Sequence, residues 1–180
     1  AELILTKILK RAKELSLKEI PLKASDALSF FMTHKIELAH FETGVLQRFA
    51  ELDDFDIMSA LKAWQTHDDF ILSSLSKMII NRDLLKIKLS SEKFAPEFIE
   101  NLSQRFIQQN KLSAQDAQYF VYKGKIKNQA YSKSAEPIRI LKKDKTIEDV
   151  VEASDQLNLK ALSKPVTKYY VCYPKQLVEN

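Results

Sequence analysis

A change in the spacing of apolar residues near residues 81–84 constrains the fold of this chain most. Before this point, apolar residues recur three and four positions apart, which places them on one face of a helix. The residues with this spacing are Ile57, Ala60, Leu61, Trp64, Ile71, Leu72, Leu75, Met78 and Ile79. After it, apolar and polar residues alternate from Leu85 to Ser90, as in a half-buried strand. The spacing therefore predicts a helical segment over residues 1–83 and a strand-containing part over residues 84–180.

The turn between the two helices, Gln65 to Asp69, contains the dipeptide His67-Asp68, which resembles a metal-binding signature. Carboxylates at these positions have another use, because the first amide groups of a helix lack partners within the helix. Either Asp68 or Asp69 is expected to accept hydrogen bonds at the start of the second helix. We therefore predict that this turn binds no metal.

The first helix of this pair has an acidic start as well, where Asp53 or Asp54 is expected to cap it.

His34 and His40 form a second candidate metal pair with Glu37 between them. Positions six apart on a helix point about 120° apart around the helix axis, so the two imidazoles would not easily hold one ion. Ordinary surface histidines are the expectation.

The second part of the chain mixes the two periods. A helix is predicted over residues 96–109, and a short helical turn is predicted to begin at Ser113. Strands are predicted over residues 119–127, 137–141 and 167–173, with a partly helical connection before the last. From Leu84 the order is strand, helix, strand, strand, helix, strand, which is the split βαβ or ferredoxin-like layout. The expected fold class is α+β, with a helical layer followed by an antiparallel sheet.

Six segments can be compared with a known protein family: LDDFDI (52–57), Trp64-Gln65 with His67, LSSLS (72–76), NRDLLKIKL (81–89), the opening fifteen residues, and the segment 152–174. They resemble the region downstream of the catalytic domain in bacterial HD-superfamily phosphohydrolases. The deoxynucleotide triphosphohydrolases are more distant relatives, similar in general layout. The resemblance implies that a catalytic HD domain with its divalent metal lies upstream, so no catalytic residue, metal or other cofactor is expected here. It also implies two partners, namely that upstream HD domain and further copies in a homo-oligomer.

The first residues form an apolar stripe without a capping residue ahead of it: Leu3, Ile4, Ile8, Leu9, Ala12 and Leu15. A helix that begins so abruptly is typical of a fragment. If its partner domain is missing, the stripe is expected to be exposed and to drive self-association. That contact would use this helix or the segment Ala27 to Phe31.

Arg82 and Lys86 match an RxLxK stretch in the triphosphohydrolases, where basic residues help to hold regulatory nucleotides between subunits. The resemblance thus implies a nucleotide effector at these two positions. A structural alternative is that Arg82 interacts with the helix C-terminus and Lys86 lies on a solvent-exposed face.

A basic cluster lies between residues 123 and 145. Residues 1–90 carry equal numbers of basic and acidic side chains, so the net charge of +4 comes from the second half. Lys123, Lys125 and Lys127 share one face of a predicted strand, with Arg139 on or near its expected hairpin partner. This group is a candidate site for phosphates or a nucleic-acid backbone. The pattern favours the alternative that this is a solvated edge whose lysines prevent strand-to-strand association.

Composition excludes several classes of protein. The two glycines, Gly44 and Gly124, leave no Walker loop and no dinucleotide fingerprint. No apolar run approaches the roughly 20 residues of a membrane span, and nothing resembles a signal peptide. The single cysteine, Cys172, fits a reducing compartment and is expected to be a packed residue rather than a nucleophile. A cytoplasmic protein without membrane contact is the expectation.

Two functions follow from these observations. In the first, the chain is the C-terminal regulatory and assembly region of an HD-superfamily phosphohydrolase acting on nucleotides, without catalysis of its own. In the second, it is an independent basic α+β module that binds RNA or DNA through residues 123–145. The first is favoured, because Phe120, Tyr122 and Ile126 are expected to belong to the core rather than to an exposed RNA-binding surface.

Overall fold

The computed structural model describes residues 1–37, 43–128, 138–153 and 166–177, and it has the expected α+β class. The longer helices of the first part are α1 (Glu2–Ser16), α2 (Asp26–Thr33), α3 (Thr43–Ala50), α4 (Asp54–Trp64) and α5 (Phe70–Ile80). The second part contains β1 (Lys86–Ser90), α6 (Pro96–Asn110), α7 (Ala114–Ala117), β2 (Tyr122–Asn128), β3 (Arg139–Leu141), β4 (Ile147–Asp149), α8 (Val150–Ala153) and β5 (Val166–Tyr173). A 3-10 turn, Lys175–Leu177, follows β5.

Helix α1 packs against α5, and this contact buries the apolar stripe of α1. Ile8 is fully buried, whereas Leu3 at the margin of the stripe is 44% exposed. The expectation of an exposed stripe over Leu3 to Leu15 is therefore wrong. Its partner surface lies within this chain, on the face of α5 that carries Leu72 and Leu75.

Side-chain caps fix the starts of α4 and α5. Asp53 accepts hydrogen bonds from the amides of Phe55 and Asp56, and the Asp56 carboxylate accepts from the Asp53 amide, which completes a capping box. Asp69 caps α5 by accepting from the amide of Leu72 at 2.8 Å. The predicted capping role is confirmed, with Asp53 and Asp69 as the residues that perform it.

The main sheet has the strand order β1-β5-β2, and both pairings are antiparallel. The last strand therefore lies in the centre. The other pair of strands in the described residues, β3 and β4, forms a separate two-stranded hairpin. The antiparallel sheet was predicted correctly, but this strand arrangement differs from the ferredoxin-like one.

One hydrophobic core joins residues from both sides of the junction at 81–84. It includes Leu61 and Trp64 of α4 together with Phe106 of α6 and Val171 of β5. Helix α6 covers the sheet face on which Val171 lies. Among the residues described, no helix has the length and apolar character that crossing a membrane requires.

Candidate functional site

Two rows of lysines flank the central strand on one face of the main sheet. Residues that are directly opposite each other on neighbouring strands share a face of the sheet. On β1, Lys86 is opposite Tyr173 and Lys88 is opposite Val171. On β2, Lys123 is opposite Val171 and Lys125 is opposite Tyr169. Lys127 continues the β2 row opposite Thr167. All five lysines are exposed. We call this surface the lysine face.

The lysine face is partly covered by α6, which divides it into a packed end and an open end. At the packed end Tyr173 is buried, and the Lys88 ammonium lies 5.0 Å from the centroid of the Phe98 ring. A groove of about 480 Å³ remains here, lined by Lys88, Glu97, Phe98, Asn101, Leu102, Arg105, Tyr173 and Leu177. At the open end Tyr169 is half-buried beside Lys125.

The junction between α5 and β1 forms a second basic site that adjoins the first. Arg82 is exposed with a positive φ of 56°, so the backbone turns sharply between the helix and the strand. The next residue, Asp83, forms an ion pair of 2.6 Å with Lys175 from the turn after β5. Lys86 begins β1 opposite Tyr173, two residues before Lys175. Arg82, Lys86 and Lys175 thus belong to one junction, in which the acidic residue Asp83 pairs with Lys175.

Five of the six predicted site residues lie on or beside the main sheet, and the sixth, Arg139, lies in the other pair of strands. Lys86, Lys123, Lys125 and Lys127 share the lysine face, and Arg82 lies at its junction end. The expected strand pairing of Arg139 is wrong, because its strand β3 pairs with β4 rather than with β2, and its cross-strand partner is Asp149. Part of the connection after Asn128 lies outside the described residues.

Three basic residues of this region were not singled out from the sequence. Lys88 follows Lys86 at the two-residue period, so the strand pattern contained the signal. Lys175 and Arg105 reach the region only because β5 is central and α6 lies on the sheet. No local pattern in the sequence indicates that proximity.

Hydrogen bonds of His67 and Asp69 hold the turn that contains the candidate pair His67-Asp68. The Asp69 amide donates to Nδ1 of His67 at 2.9 Å, so this nitrogen is an acceptor and a neutral ring would carry its proton on Nε2. Asp69 itself accepts from Arg11 Nε at 3.1 Å and from Arg11 Nη2 at 2.6 Å. Nδ1 of His67 and the Asp69 carboxylate are therefore engaged within the protein, whereas the side chain of Asp68, the other member of the candidate pair, is exposed.

Electrostatics at this turn favour a structural pair. Burial raises the pKa of Asp69, but hydrogen bonds from Arg11 and the Leu72 amide outweigh it and leave the pKa below its ordinary value. The bond to Asp69 likewise raises the pKa of Arg11. Both groups remain charged at neutral pH and join α1 to α5.

Other histidine and cysteine side chains of the described residues are also engaged in contacts within the protein. Nδ1 of His34 lies 2.9 Å from the Phe30 carbonyl oxygen and its ring stacks on Phe30, while His40 lies outside the described residues. In the described ranges, no three His, Cys, Asp or Glu side chains are grouped so that they could hold a metal ion. Burial raises the pKa of the Cys172 thiol, and its side chain is packed, as the strand pattern predicted.

Comparison with solved structures finds similarity to a phosphohydrolase from Bacteroides thetaiotaomicron VPI-5482. The two are 41% identical, the match covers 96% of this chain, and the TM-score is 0.83. The chain spans 43% of the length of that protein. No family model and no curated protein matches the chain. This chain is thus similar in sequence and in structure to part of a phosphohydrolase.

Proposed function

We propose that this chain is the C-terminal regulatory and assembly region of an HD-superfamily phosphohydrolase that acts on nucleotides, and that it does not catalyse the reaction itself. The observation that carries the proposal is the 41% identity and TM-score of 0.83 to a part amounting to 43% of a phosphohydrolase. In this account the HD domain with its divalent metal belongs to the upstream part of the same protein, and the working location is the cytoplasm.

The hydrogen bonds that His67 and Asp69 already accept support a non-catalytic role. A metal-activated water requires ligands with free lone pairs and an open coordination position. Here Nδ1 of His67 accepts an amide hydrogen bond, and the Asp69 carboxylate is engaged by Arg11 and by the helix that it caps. Recruiting the Asp69 carboxylate to a metal would break its ion pair with Arg11, which joins α1 to α5.

The junction formed by Arg82, Lys86 and Lys175 supports nucleotide regulation. A nucleoside triphosphate carries several negative charges, and cations from different elements can bind it together. Arg82 and Lys86 are exposed, and their positions match the RxLxK stretch of the triphosphohydrolases. The Lys175 ammonium is held near them by Asp83 and would gain a stronger partner in a phosphate group.

Calorimetric titration of deoxynucleoside triphosphates into the chain tests this site. We expect saturable binding that weakens at least about tenfold in Arg82→Ala and in Lys86→Ala, because one charge-assisted hydrogen bond contributes about 1.5–3 kcal/mol. Lys18→Ala is the matched control, since Lys18 is exposed beyond α1 and far along the chain from the junction. Binding that is equal in all four proteins would refute the assignment.

A second candidate function is the binding of RNA or DNA by the lysine face. The observation in its favour is Tyr169, a half-buried aromatic residue on the central strand beside Lys125. RNA-binding sheets use aromatic side chains at central-strand positions to stack bases. Against it, Tyr173 on the same strand is buried under α6, so a second stacking position is not exposed.

A further inference from the structure

The sheet face opposite the lysine face is exposed and carries mainly apolar side chains, together with Lys168 opposite Ile126. Asn128 is the register partner of Val166. The register places Ile87 and Leu89 of β1, Ile126 of β2 and Val166 of β5 on this side, and each is about half exposed. Tyr170 lies among them with its ring over Gly124, where a Cβ atom would come within 2.3 Å of the ring. We call this surface the apolar face.

Among the described residues, the helices cover one end of the apolar face. There Cys172 is buried, and the Lys7 ammonium of α1 lies 4.2 Å from the Tyr122 ring centroid. Ile126 and Val166 belong to the other end, where β2 and β5 extend away from the core. A soluble sheet normally exposes polar side chains on its open face, so this face is of the kind that another layer covers.

The hairpin β3–β4 presents a second apolar surface. Leu141 and Ile147 are cross-strand neighbours beside its turn, and they are 69% and 62% exposed. The more extensive contacts of the hairpin are with the short helix α8. A two-stranded hairpin is marginally stable in water unless it packs on another element. The hairpin does not cover the apolar face of its own copy, because the Leu141–Ile147 pair and the apolar face both remain exposed within one copy.

We propose that two copies of this chain associate by reciprocal exchange, with the Leu141–Ile147 pair of each hairpin lying on the apolar face of the other copy. The proposal deepens the assembly part of the proposed function and rests on it. A two-fold arrangement satisfies both surfaces in both copies at once, whereas an unrelated partner on the sheet leaves the hairpin exposed.

The exposed area distinguishes this arrangement from a single contact. The four sheet residues and the two hairpin residues together expose on the order of 600 Å² in one copy. One hairpin on one sheet would bury about 600 Å² in total, which is below the size of specific interfaces. Reciprocal exchange doubles this to about 1,200 Å², the lower limit of that class. We therefore expect a weak, concentration-dependent dimer.

Sedimentation equilibrium of the 180-residue chain, without nucleotide, tests the proposal. Leu141→Glu and Ile126→Glu should each raise the dimer dissociation constant at least about tenfold, because each places a charge in an apolar contact. Leu46→Glu is the matched control, since Leu46 is a 55% exposed leucine on α3, an element that belongs to neither surface. Its dissociation constant should equal that of the unmodified chain.

Mixing the two variants identifies the pairing. The Leu141→Glu copy retains an intact apolar face, and the Ile126→Glu copy retains an intact hairpin. A mixed dimer can therefore form one of the two contacts. An equimolar mixture should contain more dimer than either variant alone. A monomeric unmodified chain, a dimer unaffected by both substitutions, or a dimer lost in Ile126→Glu alone would overturn the proposal. Because the experiment contains no nucleotide, these outcomes do not test the proposed nucleotide site at Arg82 and Lys86.

Discussion

Arg11 of α1 donates two hydrogen bonds to the carboxylate of Asp69, the residue that caps α5. The carboxylate also accepts the Leu72 amide, so one side chain both begins a helix and fixes that helix against another. This arrangement explains why an acidic turn that resembles a metal signature functions in packing. Arg11 also lies 3.4 Å from Glu14 and 3.6 Å from Asp116, which extends the connection to α7.

Loss of the Arg11–Asp69 pair should destabilise the chain strongly. We expect Arg11→Met to lower the free energy of unfolding by about 2–4 kcal/mol, since it leaves a half-buried carboxylate without its cation. Asp69→Ala should be worse than Asp69→Asn, because asparagine still caps the helix. Asp68→Asn is the matched control, as Asp68 is exposed, and should change stability little. Urea denaturation measures all four differences.

The same pair predicts a dependence of stability on pH. The pKa of Asp69 is depressed in the folded chain, so its contribution is complete above the ordinary aspartate pKa of about 3.9 and is lost as the pH falls through the folded value. The difference between the unmodified chain and Asp69→Asn should therefore shrink below about pH 4. A difference that grows with acid would contradict this sign.

The burial of the α1 stripe predicts a contrast between two apolar residues of one helix. Ile8→Ala should lower the free energy of unfolding by about 2–5 kcal/mol, because Ile8 is completely buried in the core. Leu3→Ala should cost less than about 1 kcal/mol, because nearly half of Leu3 is exposed. Equal effects in thermal denaturation would show that α1 does not pack as described.

The His67 turn predicts an absence of metal-dependent activity. Elemental analysis of the purified chain should find no stoichiometric metal, and a deoxynucleoside triphosphate hydrolysis assay should find no turnover. His67→Ala should change neither result and should cost only about 1 kcal/mol of stability through the lost amide hydrogen bond. Tightly bound metal together with activity that disappears in His67→Ala would refute the non-catalytic assignment.

Local features of this fold could be predicted from the sequence because they depend on neighbouring residues. The helical spacing placed Leu61 and Leu72 on buried faces, and helix-start chemistry identified the acidic caps. The alternation of β1 was also visible, since a strand period needs only a few residues. The predicted helix over residues 96–109 differs from α6 by one residue.

Long-range pairing could not be predicted in the same way. The period of α1 indicated a buried face but not which element covers it, so the stripe was assigned to a missing domain although α5 covers it. The position of β5 between β1 and β2 depends on contacts far apart in the chain, and Arg139 was therefore assigned to the wrong hairpin. The apolar face and the proximity of Lys175 to Asp83 follow from this same pairing.

The most direct test of the regulatory account compares the junction with the lysine face in one titration series. Deoxynucleoside triphosphates and a short DNA duplex are titrated at two salt concentrations into the unmodified chain, Arg82→Ala and Lys125→Glu. We predict saturable, base-discriminating nucleotide binding that is lost in Arg82→Ala and retained in Lys125→Glu. Duplex binding should be weak, and its logarithm should fall with log salt by close to one unit for each phosphate that a lysine neutralises. Tight, sequence-selective RNA binding that Lys125→Glu abolishes, with nucleotide binding unchanged in Arg82→Ala, would contradict the account.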